Sequence, residues 1–171
     1  MDWVQGQSAV IVPVPAMDPV VGRWRARYDR SEPLGVPAHV TICVPFAPLP
    51  LLDLGELARL AADTGSLRVR FAALAEFPGV LYAEPDPGDP FAALTRALAR
   101  RWPSYPPYGG QFGDDVIPHL TIAESADPGV LAEARADVLP WLPVETVLAG
   151  ASLLVFDGSR WNAVCELPFG A

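Results

Sequence analysis

The sequence predicts an α+β fold of two lobes that repeat one unit and face a shared cleft. Three observations lead there. A five-residue phrase occurs twice, as Ala38-His39-Val40-Thr41-Ile42 and as Pro118-His119-Leu120-Thr121-Ile122, and the two copies hold both histidines of the chain. The same order of short apolar runs and helix-like segments surrounds each copy, with Phe77 standing 38 residues after His39 and Phe156 standing 37 after His119. A period near eighty residues in only two copies is too long for a solenoid, and strands mixed with helical segments fit a layered α+β domain. Residues 1–171 are read as one bilobal domain with units at about 8–79 and 80–168. A chain of this length can bury roughly 70% of its unfolded surface, so it folds without staples.

The elements follow in order. SAVIVPV at 8–14 is rich in β-branched residues and suits a buried strand. Asp18 and Pro19 then open a helix, the aspartate as a cap and the proline in the first turn, where its missing N–H costs nothing. VPAHVTICV at 36–44 reads as a strand, and LDLGELARLAADTG at 52–65 has helical spacing with Gly65 as its stop. SLRVRFAALAEF and GVLYAE are strands separated by the turn signal Pro78-Gly79. The pattern then starts again: VLYAEP takes the first strand's place, Asp89-Pro90 opens a helix, IPHLTIA is the second histidine strand, and Asp127-Pro128 opens a further helix. ETVLAGASLLVFDGSRWNAVCEL closes the chain as a hairpin turning at Asp157-Gly158. One segment has no counterpart. Residues 103–118, rich in proline, glycine and aromatics, replace the short SEPLGVPA of the first unit. Long loops inside compact domains are often functional, so this one reads as a flap beside the second histidine, a proline-stiffened connection being the alternative.

Apolar residues make up 51% of the chain and charged residues 19%, an ordinary globular balance. No apolar run approaches the roughly 20 residues that span a bilayer, and no basic start precedes an apolar signal core, so a cytoplasmic protein without membrane contact is expected. The net charge of −8 argues against broad binding to a nucleic-acid backbone, which many Lys and Arg contacts must carry. A phosphate-bearing partner is expected to be small or held at one local site, and the protein to work as a monomer. Cys43 and Cys165 are expected as free thiols, and no CxxC or Cys/His cluster suggests zinc.

Side chains alternate along a strand, which is expected to put His39, Thr41 and Cys43 on one face and Val40, Ile42 and Val44 on the other. In the second copy His119, Thr121 and Ala123 oppose Leu120 and Ile122. Each lobe then offers an imidazole and a hydroxyl opposite an aliphatic face that belongs in a core. Two imidazoles across a cleft suit acid-base chemistry: histidine titrates near neutrality, so one can take a proton from water while the other hands a proton to a leaving oxygen. The threonine hydroxyls can hold the non-bridging oxygens of a phosphate between them. Such a site needs no cofactor, and two histidines without a supporting carboxylate set make a poor metal site.

On AHVTI and PHLTI, their separation and the duplicated order of elements over nearly the whole chain, the sequence resembles the two-histidine (2H) phosphoesterase superfamily. That superfamily includes proteins named 2'-5' RNA ligase and RNA 2',3'-cyclic phosphodiesterase. The resemblance implies two α+β lobes whose antiparallel sheets form a central cleft with helices outside. It implies a metal-independent phosphoesterase that opens 2',3'-cyclic or 2',5'-type phosphodiester bonds in a nucleotide-like small molecule or an RNA end. His39 and His119 would be the acid-base pair, and Thr41 and Thr121 the phosphate-holding hydroxyls. RNA 2'-5' ligation by the same site in reverse, and a phosphate-binding module without turnover, are the alternatives. Members acting on RNA commonly carry an arginine shortly after the second motif, where this chain has Ala123, Glu124 and Ser125. Together with the acidic net charge, this directs the expectation toward small nucleotide-like substrates.

Aromatic side chains near the motifs can stack on a base. Phe46 follows the first motif, and Tyr105, Tyr108 and Phe112 lie in the long loop, with core packing or loop anchoring as the ordinary alternative. Arg160 and Trp161 stand at the final turn and can reach a ligand if that turn borders the cleft. Arg23, Arg25, Arg27 and Arg30, with Trp24 and Tyr28, read as a solvated helix face, a substrate-phosphate role for one of the arginines being the alternative. A rival Cys43/His39 nucleophile pair fails on geometry, because four residues of strand span about 13 Å.

Overall fold

In the computed structural model, which describes residues 2–113 and 115–171, the chain runs β1 (Ser8–Pro13), α1 (Asp18–Tyr28), β2 (His39–Phe46), α2 (Leu54–Ala62), β3 (Leu67–Phe77) and β4 (Val80–Asp86). It continues α3 (Asp89–Arg101), β5 (Leu120–Glu124), α4 (Pro128–Val138), β6 (Val144–Leu148), β7 (Gly150–Phe156) and β8 (Trp161–Pro168). Helix starts are set by side chains that satisfy otherwise unpartnered N–H groups. Asp53 caps α2 by accepting the Glu56 N–H at 3.0 Å, and Asp127 caps α4 by accepting that of Gly129 at 2.8 Å. Asp18 does something other than the capping expected of it. Its carboxylate accepts the Ala38 N–H at 3.0 Å, which pins the start of α1 to the residue before His39.

The strands form two four-stranded antiparallel sheets, ordered β2-β1-β7-β8 and β5-β4-β3-β6. Helices α2 and α3 pack on the first sheet, α1 and α4 on the second. The two lobes of the expected α+β fold are therefore present, but they do not follow the division near residue 80. The Pro78-Gly79 turn pairs Phe77 with Val80, and such a short hairpin commits β3 to β4 and hence to the second sheet. Gly79, at φ 76°, supplies the positive φ that this turn requires. In exchange, β7 and β8 return from the end of the chain to complete the first sheet beside β1. The first helix of each unit crosses too: α1 packs on β5 and α3 on β2. The matched spacing to Phe77 and Phe156 thus marks equivalent strands, each lying in the lobe opposite the histidine from which it is counted.

Most of the core lies between the sheets and their helices, with Val12, Val40, Phe71, Leu81, Leu120 and Leu153 fully or almost fully buried. Each such side chain stabilises the fold by about 1.5–3 kcal/mol relative to exposure. A second, smaller cluster of Ile11, Val44, Phe156 and Trp161 fills the other face of the first sheet. Among the described residues no helix is long and apolar enough to cross a membrane, and Cys43 and Cys165 are free thiols.

Candidate active site

Both histidine strands carry the same irregularity. On β2, Thr41 pairs with Ile11 and Cys43 with Val10, which leaves Ile42 extra; on β5, Thr121 pairs with Tyr82 and Ala123 with Leu81, which leaves Ile122 extra. A bulge of this kind sets two residues against one and resets the alternation of faces beyond it. His39 and Thr41 share the cleft face with His119 and Thr121, as simple alternation requires. Past the bulges the expected faces are wrong. Cys43 and Ala123 turn fully into the core, while Val44 and Glu124, five residues after each histidine, line the cleft. The Ile42 carbonyl accepts the buried Thr95 hydroxyl from α3 at 3.0 Å, so the bulge brings its own hydrogen-bond partner.

The cleft has a volume of about 620 Å³, within the range of small-molecule sites. In it each imidazole is oriented by backbone two residues upstream: Nδ1 of His39 lies 2.7 Å from the Pro37 carbonyl, and Nδ1 of His119 lies 2.8 Å from that of Ile117. A carbonyl can only accept, so both Nδ1 atoms carry the proton and both Nε2 atoms are left for other partners. Nε2 of His39 accepts the Thr41 hydroxyl at 3.1 Å, and Thr41 in turn is hydrogen-bonded to the Tyr108 hydroxyl. His119 stands edge-on to two rings, Phe77 at 5.1 Å and Tyr82 at 5.5 Å, which are themselves stacked 4.3 Å apart.

Behind His39 lies a buried ion pair, Arg25 with Asp29. Arg25 and Asp29 are 1% and 5% exposed, contrary to the solvated helix face expected for the arginine cluster. The Arg25 Nε–H donates to Asp29 at 2.8 Å, its Nη2 donates to the Val36 carbonyl at 3.0 Å, and Ser31 donates its N–H and hydroxyl to the other carboxylate oxygen. Burial pushes the Asp29 carboxyl up, but the Arg25 guanidinium and the Ser31 hydrogen bonds hold it below the ordinary aspartate value. For His39, burial and the Arg25 charge together lower the pKa to about 4, against the Pro37 hydrogen bond and the Asp29 charge. His119 is also lowered by burial, with the Ile117 hydrogen bond opposing; the arginine acts on the first imidazole.

The described parts of the long loop stand beside the second histidine at Ile117 and also reach across the cleft to the first histidine strand. Its turn at Pro107–Gly110 packs on β2, and Tyr108, at φ 52°, is held there by Thr41. Burial pushes the Tyr108 hydroxyl up to about 12, so it remains protonated. Phe112 packs edge-on against Tyr108 and is largely exposed at the cleft mouth. Two other aromatic expectations are corrected. Phe46, 2% exposed, lies beyond the bulge in the core and packs edge-on against Trp102 at 5.3 Å. Trp161, 6% exposed, belongs to the small cluster under the first sheet, where it supports Trp3 edge-on at 5.4 Å. Trp3 itself lines the cleft, beneath the Arg30 guanidinium at 5.2 Å. Burial drives the Cys43 thiol up to about 12, which removes it as a nucleophile.

Sequence reasoning missed Trp3, Asp29, Phe77, Asp115 and Glu124 as cleft residues, while Arg30 lines the cleft as the alternative reading of the arginine cluster allows. The Arg25/Asp29 pair had a signal, an i,i+4 cation and anion. Phe77 was visible only as the end of a matched spacing, and nothing local to Trp3 marks it.

Comparison with known proteins agrees with this architecture. A family model described as the 2'-5' RNA ligase superfamily matches residues 12–160. E. coli LigT complexed with NADP+ superposes at a TM-score of 0.60 with 15% identity, over 98% of this chain and 100% of that one. E. coli LigT complexed with 3'-AMP also gives 0.60, with 13% identity over 98% and 100%. TT0787 of Thermus thermophilus gives 0.55, with 19% identity over 95% and 97%. At such identities the likeness extends to the fold. Comparison with curated protein sequences gives no match.

Proposed function

Because the chain belongs to the 2'-5' RNA ligase superfamily, we propose that it is a metal-independent phosphoesterase that opens a 2',3'-cyclic phosphodiester, or a related 2',5' bond, in a nucleotide-like small molecule or an RNA end. The observation that carries this reading is the pair of imidazoles in one cleft, each fixed at Nδ1 by a backbone carbonyl and each keeping Nε2 for chemistry. His39, held neutral by burial and by Arg25, takes a proton from water as the water oxygen attacks phosphorus. His119, as the imidazolium, gives a proton to the ribose oxygen as the phosphorus–oxygen bond to it breaks. One P–O bond forms, one breaks, and one proton crosses the site from water to leaving group. Thr41 and Thr121 donate to the non-bridging oxygens, where charge builds in the transition state. On substrate binding Thr41 turns its hydroxyl from His39 to phosphate, which frees His39 for water.

LigT carries NADP+ in one of its structures and 3'-AMP in another, and a cleft of about 620 Å³ has room for a ligand of nucleotide size. The test is turnover of nucleoside 2',3'-cyclic monophosphates in EDTA by the wild type and by His39→Ala and His119→Ala. Turnover that survives EDTA and disappears in both variants is expected. Tight binding of the cyclic nucleotide without turnover in the wild type would sink the reading, as would activity that EDTA removes and Zn²⁺ restores.

A further inference from the structure

The bulges at Ile42 and Ile122 give the cleft lining two matched positions filled by unlike residues: buried Val44 on one side, exposed Glu124 on the other. Among the described residues, the side chains lining the cleft around them carry three carboxylates, Asp29, Asp115 and Glu124, and a single guanidinium, Arg30. The charge of Asp29 is already matched by buried Arg25 at 2.8 Å. Among the described side chains that line the cleft, Glu124 and Asp115 are then set against Arg30 and the two imidazoles, and the chain has no lysine that could add to them. Burial and the Asp29 charge push the Glu124 carboxyl up while Arg30 acts in the opposite sense, which places Glu124 within the electrostatic reach of both. Both Glu124 and Asp115 are exposed, so their field reaches about 8 Å before salt screens it. A second phosphate held within that reach lies in their field.

Resting on the phosphoesterase reading above, we propose that the cleft selects substrates whose only negative charge is the diester to be opened, with Glu124 as the residue that rejects a second phosphate. The preferred class is a nucleoside 2',3'-cyclic monophosphate with a free 5'-hydroxyl, its base against the apolar wall of Trp3, Phe77 and Tyr108. Discrimination here comes from a repulsive element, not from an added contact.

The experiment compares adenosine 2',3'-cyclic monophosphate with its 5'-phosphorylated form by kcat/KM, in the wild type, Glu124→Gln and Asp115→Asn. Each ratio is taken within one protein preparation, so partial misfolding of a variant cancels. The wild type is expected to favour the 5'-hydroxyl compound by about tenfold or more, a ratio worth roughly 1.4 kcal/mol. Glu124→Gln should cut that preference at least about threefold, Asp115→Asn should cut it less, and added salt should narrow it in the wild type. Equal use of the two compounds, preference for the phosphorylated one, or a ratio unmoved by Glu124→Gln overturns the inference while both compounds are still turned over. Turnover of neither overturns the phosphoesterase reading and this inference with it, so the two failures are told apart.

Discussion

The two half-sites begin with nearly the same five residues and end in different surroundings. His39 sits in a polar chain, Tyr108 to Thr41 to Nε2, with a buried arginine behind it and an apolar residue, Val44, in the lining five residues on. His119 sits against the edges of two stacked rings, far from that arginine's influence, with an exposed carboxylate, Glu124, in the lining five residues on. A duplicated unit supplies two chemically equal groups, whereas acid-base catalysis needs unequal ones. The difference arises outside the repeated phrase, from what packs around it: α1 contributes Arg25 to one histidine, and the end of β3 contributes Phe77 to the other.

The strongest way to break this comparison is to remove each histidine in turn. His39→Ala and His119→Ala should each lower kcat/KM on a cyclic nucleotide by roughly 10²- to 10⁴-fold. On a phosphodiester with a p-nitrophenolate leaving group, which departs without a proton, His119→Ala should recover most of its loss and His39→Ala should not. The reverse pattern would exchange the assigned roles. Next in size is the buried pair: Arg25→Ala strands the Asp29 carboxylate and should cost about 3–5 kcal/mol in chemical denaturation. The exposed pair Arg70–Glu145, at 3.4 Å, should cost no more than about 1 kcal/mol when Arg70→Ala removes it. The threonines sharpen the contrast further. Thr121→Val removes one hydrogen bond to charged phosphate, about 1.5–3 kcal/mol in kcat/KM, and Thr41→Val should exceed it because Tyr108 loses its partner as well.

The pH profile is the gentlest probe. His39 has a lowered pKa, so its basic form appears as pH rises through about 4, and this sets the rising limb of kcat/KM. His119 is lowered too, so its acidic form is lost, and kcat/KM falls, below the ordinary histidine value. The bound diester's negative charge favours the His119 imidazolium, so the falling limb of kcat should lie at higher pH than that of kcat/KM. Coincident limbs would show that the diester does not touch His119.

The histidines, the threonines, the α+β class and most element positions can be read from residues alone, because strand alternation, caps and turn residues act locally. What stays hidden acts at a distance or turns on a single residue. A one-residue bulge at Ile42 has no Gly or Pro to announce it, yet it sends Cys43 inward and brings Val44 to the cleft. Phe46 and Trp161 look like exposed stacking rings because they flank the motif and the last turn, and only the packing of α3 and the first sheet buries them. Arg25 looks solvated because three other arginines surround it in sequence, while the helix turns that one residue inward beside Val21.

The exchange of strands between lobes also bears on how the protein is made. On a ribosome, β1 and β2 emerge first, but the strand that must flank β1 lies at Gly150–Phe156, nearly the whole chain later. Until then the edge of β1, with Ala9, Val10 and Ile11 along it, has no neighbour to pair with and is open to other chains. The second sheet, with β3, β4, β5 and β6 close in order, can assemble first, so the His119 half of the cleft precedes the His39 half. A nascent chain stopped before residue 150 would carry one finished lobe and one sticky ribbon, and chaperones should engage it at the ribbon.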